Sequence, residues 1–276
     1  MKGTVIKSTG SQYQVRLDDG LQVSCRIRGN LRLQEFEATN PLAVGDHVEV
    51  EIREDDFSLI TEIVPRKNYI IRKSIKLSRQ VQVLAANIDQ AFVIATPVLP
   101  KTSLGFMDRF LATAEAYTIP AGIIFNKCDL YTEEIWDWIH ELEILYTGIG
   151  YKVIVASALQ ADKRELLKKE LKNKVTLFSG HSGVGKSSLI NSLVPGLDLK
   201  TSSLSLQHMK GTHTTTFAEM HVLPGGGFII DTPGIREFGI IDFSQAEVHI
   251  IFQRYSGSAS TAILITACTG MKPIVP

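Results

Sequence analysis

Apolar and polar residues alternate in short runs over the first quarter of the chain and change rhythm near residue 81. The runs Thr4-Val5-Ile6, Gln12 to Leu17 and His47 to Ile52 alternate with period two, separated by Ser8-Thr9-Gly10-Ser11, Asp18-Asp19-Gly20 and Asn40-Pro41. Period two places every second side chain on one face of a half-buried strand, and Gly, Asn and Pro clusters mark the turns. Asp18-Asp19-Gly20 between two such runs is a hairpin signature, because glycine supplies the positive φ of a tight turn. About five short strands over 1–65 predict a small closed β-barrel, and an OB-like barrel is the common RNA-binding version. A purely structural barrel fits the same pattern.

From residue 81 the strands become continuous apolar runs, Ala91 to Ala95 and Ala121 to Phe125, as expected of strands covered on both faces. Phe106 to Tyr117 has helical spacing, and Glu133 to Tyr146 places Ile135, Trp138, Ile139, Leu142 and Leu145 on one side of a second helix. Strands alternating with helices predict an α/β domain over 81–240 with a mainly parallel sheet. Between the two regions, residues 66–80 carry Arg66, Lys67, Arg72, Lys73, Lys76 and Arg79 and no acid. Tyr69 and the isoleucines interleave with these cations. The expectation is a basic connector that packs in part while its charged heads stay free for an RNA phosphate backbone. A solvated basic face is the plainer alternative.

Composition narrows the class. With 276 residues, 44% hydrophobic and 21% charged, the chain is neither disordered nor collagen-like. Its 29 basic and 29 acidic residues balance, so a nucleic-acid partner must be met by a local patch. Three scattered cysteines, Cys25, Cys128 and Cys268, give no disulfide framework and point to a reducing compartment. Residues 1–7 lack a signal-like apolar stretch, and no segment approaches the ~18 apolar residues of a membrane span. The expectation is a cytoplasmic monomer with no membrane partner.

The strongest chemical signal is Gly180-His181-Ser182-Gly183-Val184-Gly185-Lys186-Ser187-Ser188, between a strand-like run, Val175 to Phe178, and a helix-like one. That is the strand, GxxxxGK[ST], helix context of a phosphate loop. Glycines let backbone N–H groups face phosphates, Lys186 reaches the β/γ-phosphates, and the Ser187 hydroxyl ligates Mg²⁺. Asp231-Thr232-Pro233-Gly234 follows the apolar run Phe228 to Ile230. There Asp231 can hold the Mg²⁺ shell and the Gly234 N–H can approach the γ-phosphate.

Asn126-Lys127-Cys128-Asp129 closes another strand. Asp129 can accept from N1–H and the exocyclic amine of guanine, a donor pair that adenine lacks. Asn126 lends a polar side chain to the base pocket and the Lys127 stem can lie across the base. Ser157-Ala158 would offer a backbone N–H to the guanine O6. Together these favour GTP over ATP. Their order is NKxD, SA, phosphate loop, DTPG, whereas regulatory GTPases place the phosphate loop first. One site survives if the sheet is circularly permuted, since every element still sits at a strand's carboxyl end. Lys210 to Thr216, between phosphate loop and DTPG, is the candidate switch, with Thr214 and Thr215 as catalytic candidates and a Thr215 hydroxyl for Mg²⁺.

On RKNYIIRKS (66–74), AANIDQAFVI (85–94), FNKCDL (125–130), GHSGVGKSSLIN (180–191), GTHTTT (211–216) and DTPGIREFG (231–239), the chain resembles the circularly permuted, ribosome small-subunit-dependent GTPase family (RsgA/YjeQ). The resemblance runs from residue 1 to about 248. It implies an N-terminal OB domain, a GTPase domain and a C-terminal zinc domain. It also implies slow GTP hydrolysis stimulated by the small (30S) subunit during late maturation.

Two features depart from familiar patterns. Position 235 is Ile where Ras-like proteins have a water-orienting Gln; the resembled family also has an apolar residue there, so another group must place the water and His213 becomes the candidate, with an exposed loop histidine as the plainer reading. The family's zinc motif, C-x4-C-x-H-x5-C, is absent: residues 249–276 hold only Cys268 and His249, and zinc needs four ligands. Codons formed from the last base of one residue and the first two of the next allow Cys at Thr261/Ala262, Thr266/Ala267 and Ile274/Val275. They allow His at Cys268/Thr269 and give Glu at Met271/Lys272, which restores the motif's spacing. The hypothesis is a one-base frameshift near Val248; resequencing that finds this tail without a lost base contradicts it.

The fold expected is therefore an N-terminal all-β OB-like barrel (1–65), a basic connector (66–80), a circularly permuted P-loop α/β GTPase domain (81–240) and an aberrant tail (241–276) in place of the zinc domain. Its partners would be GTP/GDP with Mg²⁺, and the small ribosomal subunit with its rRNA. The rivals are a P-loop phosphotransferase, betrayed by ATP preference, a GTP-gated RNA-binding module with vestigial hydrolysis, and a docking-defective product.

Overall fold

The computed structural model describes residues 1–29, 41–53, 56–73, 81–201 and 218–232. His213, Thr214, Thr215, Gly234, Ile235 and the tail with its zinc and frameshift readings lie outside the described residues.

The N-terminal region forms β1 (Lys2–Ser8), β2 (Tyr13–Leu17), β3 (Gln22–Ile27), β4 (His47–Glu51) and β5 (Ser58–Ile63). Alternation works as expected: Tyr13, Val15 and Leu17 are buried while Gln14 is exposed. The turn before β3 carries Gly20 at φ +95°, and Leu17 N–H donates to the Leu21 carbonyl across it. β1 pairs with β2, β2 with β3, β3 with β5, β5 with β4, and β4 returns to β1, which closes the ring. Val5, Val15, Cys25, Leu42, Val48 and Ile60 fill its interior.

The second region begins with β6 (Tyr69–Lys73) and β7 (Val81–Ala86), an antiparallel pair of their own. It continues through β8 (Gln90–Ala95), α1 (Leu104–Ala116), β9 (Ala121–Phe125), α2 (Glu133–Gly148), β10 (Lys152–Val155), α3 (Ala161–Leu171), β11 (Val175–Ser179), α4 (Lys186–Leu193), β12 (Glu219–Val222) and β13 (Phe228–Asp231). Strands β10, β9, β8, β11 and β13 lie side by side in parallel, and β12 is antiparallel at the end of that row. Apolar spacing decides which helix face turns inward. α1 buries Phe106, Met107, Phe110, Leu111 and Ala114 against one side of the sheet, and α2 adds Ile139 and Leu142. α3 and α4 cover the other side with Leu167, Leu171, Leu189, Ile190 and Leu193. Each of the larger side chains among them contributes about 1.5–3 kcal/mol by leaving water. α1 starts where the Ser103 hydroxyl accepts from Phe106 N–H, and Glu133 and Glu134 favour the positive end of α2.

Strand β12 also pairs with β1 at Glu219 and Lys7, so barrel and α/β sheet form one eleven-stranded ladder. The joint corrects the expectation that the cations at its start are free. Arg66 grips the Asp46 carboxylate with two hydrogen bonds of 2.6 Å, from Nε and Nη2. The Asp46 side chain is 0% exposed and that of Arg66 10%, and a carboxylate so buried requires a countercharge. Lys67 pairs with Asp89. Asn68 exchanges two hydrogen bonds of 2.8 Å with the Ile88 backbone, and Asn87 donates to the Gly45 carbonyl. Gly45 in turn has no room for a Cβ against the Ala86 carbonyl. Residues 66–68 therefore stitch the two regions together.

Candidate nucleotide site

Parallel strands bring their carboxyl ends to one edge: Asn126, Ser157 and Gly180 lie in the loops leaving β9, β10 and β11, and Asp231 is the last residue of β13. Motifs scattered over a hundred residues thus converge, as permutation requires.

Direct contacts join them. The phosphate loop turns through Gly183 (φ +88°) and Gly185 (φ +86°), a left-handed backbone that side chains resist. A Cβ on Gly185 would lie 2.6 Å from Asn126 Nδ2, and one on Gly180 2.7 Å from the Ile94 carbonyl. Asn126 Nδ2 donates to the Val184 carbonyl at 2.9 Å, and Lys127 Nζ donates to the Gly183 carbonyl at 2.7 Å. The Asn126 side chain is thus turned onto the phosphate loop, tying the base motif to the phosphate motif. Its Oδ1 is buried without a partner, an acceptor suited to a ligand donor. His181 stacks on Phe106 with ring centroids 3.8 Å apart, which braces the loop against α1.

Lys186 is sunk at the start of α4, where its ammonium pairs with Asp231 and donates to the Thr232 carbonyl at 3.3 Å. Burial lowers the Lys186 pKa to about 8. A phosphate and a cation arriving here would each find an opposite charge, so the cradle and its donors fit a Mg²⁺-bound nucleotide. Among the described residues no cluster of three or more His, Cys, Asp or Glu could hold a metal alone. Thr232 is locked by its hydroxyl to the Phe178 carbonyl.

At the other end, Ser157 Oγ donates to Asp129 Oδ1 at 2.5 Å, and Leu159 N–H donates to Ser157 Oγ. Arg164 holds the Ala158 carbonyl at 2.8 Å. Tyr131 donates its hydroxyl to the Asn126 carbonyl at 2.8 Å, and burial keeps that phenol protonated. Burial also lowers the Lys127 pKa, which nearby Asp129 partly restores, and raises that of the buried Cys128 thiol. Ser182, Ser187 and Ser188 lie on the same loop and the first turn of α4.

Sequence reasoning missed three contributors. Tyr131 and Arg164 carried no motif, although each stands within seven residues of one. The third is the backbone of the loop after β8, where Leu99 offers its carbonyl to Lys127 Nζ at 2.8 Å. No side-chain pattern marks a carbonyl.

Comparison with known proteins agrees with this architecture. The family model "RsgA GTPase" matches residues 63–241, and the "RsgA N-terminal domain" matches residues 2–60. The chain is 54% identical over 248 residues to the small ribosomal subunit biogenesis GTPase RsgA of Bacteroides fragilis, covering 90% of this chain and 80% of that one. It is 51% identical over 253 residues to the like-named protein of Phocaeicola vulgatus, covering 92% and 82%. The crystal structure of YjeQ from Thermotoga maritima superposes with a TM-score of 0.74 at 32% identity, over 92% of this chain and 82% of that one. That of YloQ, a circularly permuted GTPase, gives 0.67 at 28% identity, over 91% and 77%.

Proposed function

The chain belongs to the RsgA family of circularly permuted GTPases, and from that premise we propose that it binds GTP·Mg²⁺ at the strand-end site described above and serves small-subunit maturation. It hydrolyses GTP as an assembly factor for the small ribosomal subunit. The observation carrying the residue assignments is the mutual hooking of base and phosphate motifs, Asn126 and Lys127 onto Val184 and Gly183.

Lys186 neutralises the β/γ-phosphates, and N–H groups of Gly183 to Ser188 cradle them at the start of α4. Ser187, Asp231 and a switch threonine, Thr215, would hold Mg²⁺, which supplies charge neutralisation at the transferring phosphoryl group. Thr214 and the Gly234 N–H would close on the γ-phosphate, and His213 would position water where Ile235 offers no polar group. Asp129, oriented by Ser157, reads guanine, with Ala158 at its O6 and Lys127 across its face. Hydrolysis on this reading rests on positioning and charge stabilisation. The barrel with the basic residues beyond Lys67 would meet rRNA, and docking on the subunit would order the switch and stimulate turnover.

We place the protein in the cytoplasm as a monomer without a membrane partner. Among the described residues no helix is long and apolar enough to cross a bilayer. Equilibrium binding tests the site: fluorescent GDP and GTP should bind at least 100-fold more tightly than the adenine analogues, since each unpaired buried polar group in a mismatched site costs about 1–3 kcal/mol. Equal affinity for ADP would overturn the guanine assignment.

A further inference from the structure

The loop between β8 and α1, Thr96 to Ser103, contains none of the nucleotide motifs, yet it is built as firmly as they are. Thr96 and Thr102 close its base: Thr102 N–H donates to the Thr96 carbonyl at 2.8 Å, and Thr96 N–H donates to Thr102 Oγ1 at 3.1 Å. Thr96 Oγ1 then donates to the Pro100 carbonyl at 2.5 Å, pinning the tip. Both threonines are buried, whereas Leu99 at the tip is 62% exposed. Leu99 has φ +45°, a left-handed conformation unfavourable for a side chain that gains no burial there. What that conformation achieves is the aim of the Leu99 carbonyl, which accepts from Lys127 Nζ at 2.8 Å.

The same loop presses on the phosphate loop. A Cβ on Gly183 would approach Pro100 Cδ to 3.3 Å. Lys127 Nζ is therefore held between two carbonyls, Gly183 on one side and Leu99 on the other. A lysine side chain has many accessible rotamers, so an ammonium held by one carbonyl samples more positions than one held by two. Lys101 adds an outer tether, its ammonium 5.7 Å from the centre of the Trp138 ring on α2.

We infer that Thr96–Thr102 is a further wall of the nucleotide site: it presents the Leu99 carbonyl to Lys127, keeps the lysine stem across the base, and so sets how fast guanine nucleotide leaves. Thr102 is then a positioning residue that acts through Lys127. The inference rests on the guanine-nucleotide reading above and extends it to a loop outside the four motifs.

The experiment is stopped-flow release of fluorescent GDP from the full chain. Thr102→Val removes the Oγ1 acceptor at constant shape and leaves the Thr96 N–H without its partner. Release should quicken about tenfold, the effect of losing one well-made hydrogen bond in a buried clasp. Thr102→Ser, which keeps the hydroxyl, should release within about twofold of the parent. In a Lys127→Met background, Thr102→Val should add almost nothing, because the group it positions is gone. Pro100→Gly, which leaves the threonine clasp in place and loosens the tip, should reproduce the acceleration if Thr102→Val does not fold. Release at the parental rate from these variants, or equal acceleration with and without the Lys127 ammonium, overturns the inference. A parent chain that retains no fluorescent GDP overturns the guanine reading itself, and the inference with it.

Discussion

The buried hydroxyl of Ser157 donates to the carboxylate of Asp129 across 2.5 Å, joining the loop after β10 to the loop after β9. On the proposed reading, in which the Asp129 carboxylate would accept two hydrogen bonds from guanine, it must be held in a fixed orientation, and the Ser157 hydroxyl holds it. Ser157→Ala should weaken GTP binding about tenfold or more, the value of a hydrogen bond to a charged group, as calorimetric titration would record. Asp129→Asn reverses part of the donor pattern, so the variant should lose guanine nucleotide and favour xanthine nucleotide in the same titration. Unchanged guanine affinity in either variant would remove Asp129 from the base site.

Lys186 and Asp231 are both nearly buried and paired with each other. Lys186→Ala should therefore act twice. GTP turnover should fall at least about 100-fold, as when one donor to a developing charge is removed. The nucleotide-free chain should also become less stable in a denaturant titration, because Asp231 keeps its charge and loses its partner.

Arg66 is the case in which sequence and structure part most clearly. Within a run of six cations it reads as an RNA contact, but its guanidinium is committed to Asp46. Arg66→Met should cost about 3–5 kcal/mol of stability by stranding a buried carboxylate, measured by urea unfolding. A loss of RNA affinity at unchanged stability would contradict this.

Lys7 and Glu219 mark where β1 of the barrel meets β12, three residues beyond Thr216, the end of the proposed switch segment. The pair is only half-buried and open to solvent, so Lys7→Glu should change stability by no more than about 1 kcal/mol. Its effect should fall on communication: basal GTP turnover stays as it was and stimulation by small subunits diminishes, in parallel turnover assays.

Much of this was legible beforehand, for reasons that can be named. The β2–β3 hairpin follows from its Asp-Asp-Gly turn, and the two-sided strands β8 and β9 follow from periodicity, because burial on one face or two leaves different patterns. The four motifs were legible because phosphate and guanine each demand a small set of groups at fixed spacing. The β6–β7 hairpin was not, since its basic run matches a solvated face as well as a strand. Strand β12 was hidden by its shortness and by its pairing with β1, a partner more than two hundred residues away. The Leu99 carbonyl was beyond reach for another reason: its role depends on φ and on what stands opposite.

The most direct test of the account is GTP turnover by this chain with and without purified small ribosomal subunits, with Lys186→Ala as control. The account predicts slow basal hydrolysis of GTP, stimulation on adding subunits, and loss of both in the variant. Turnover that subunits leave unchanged, or that persists in Lys186→Ala, would contradict it.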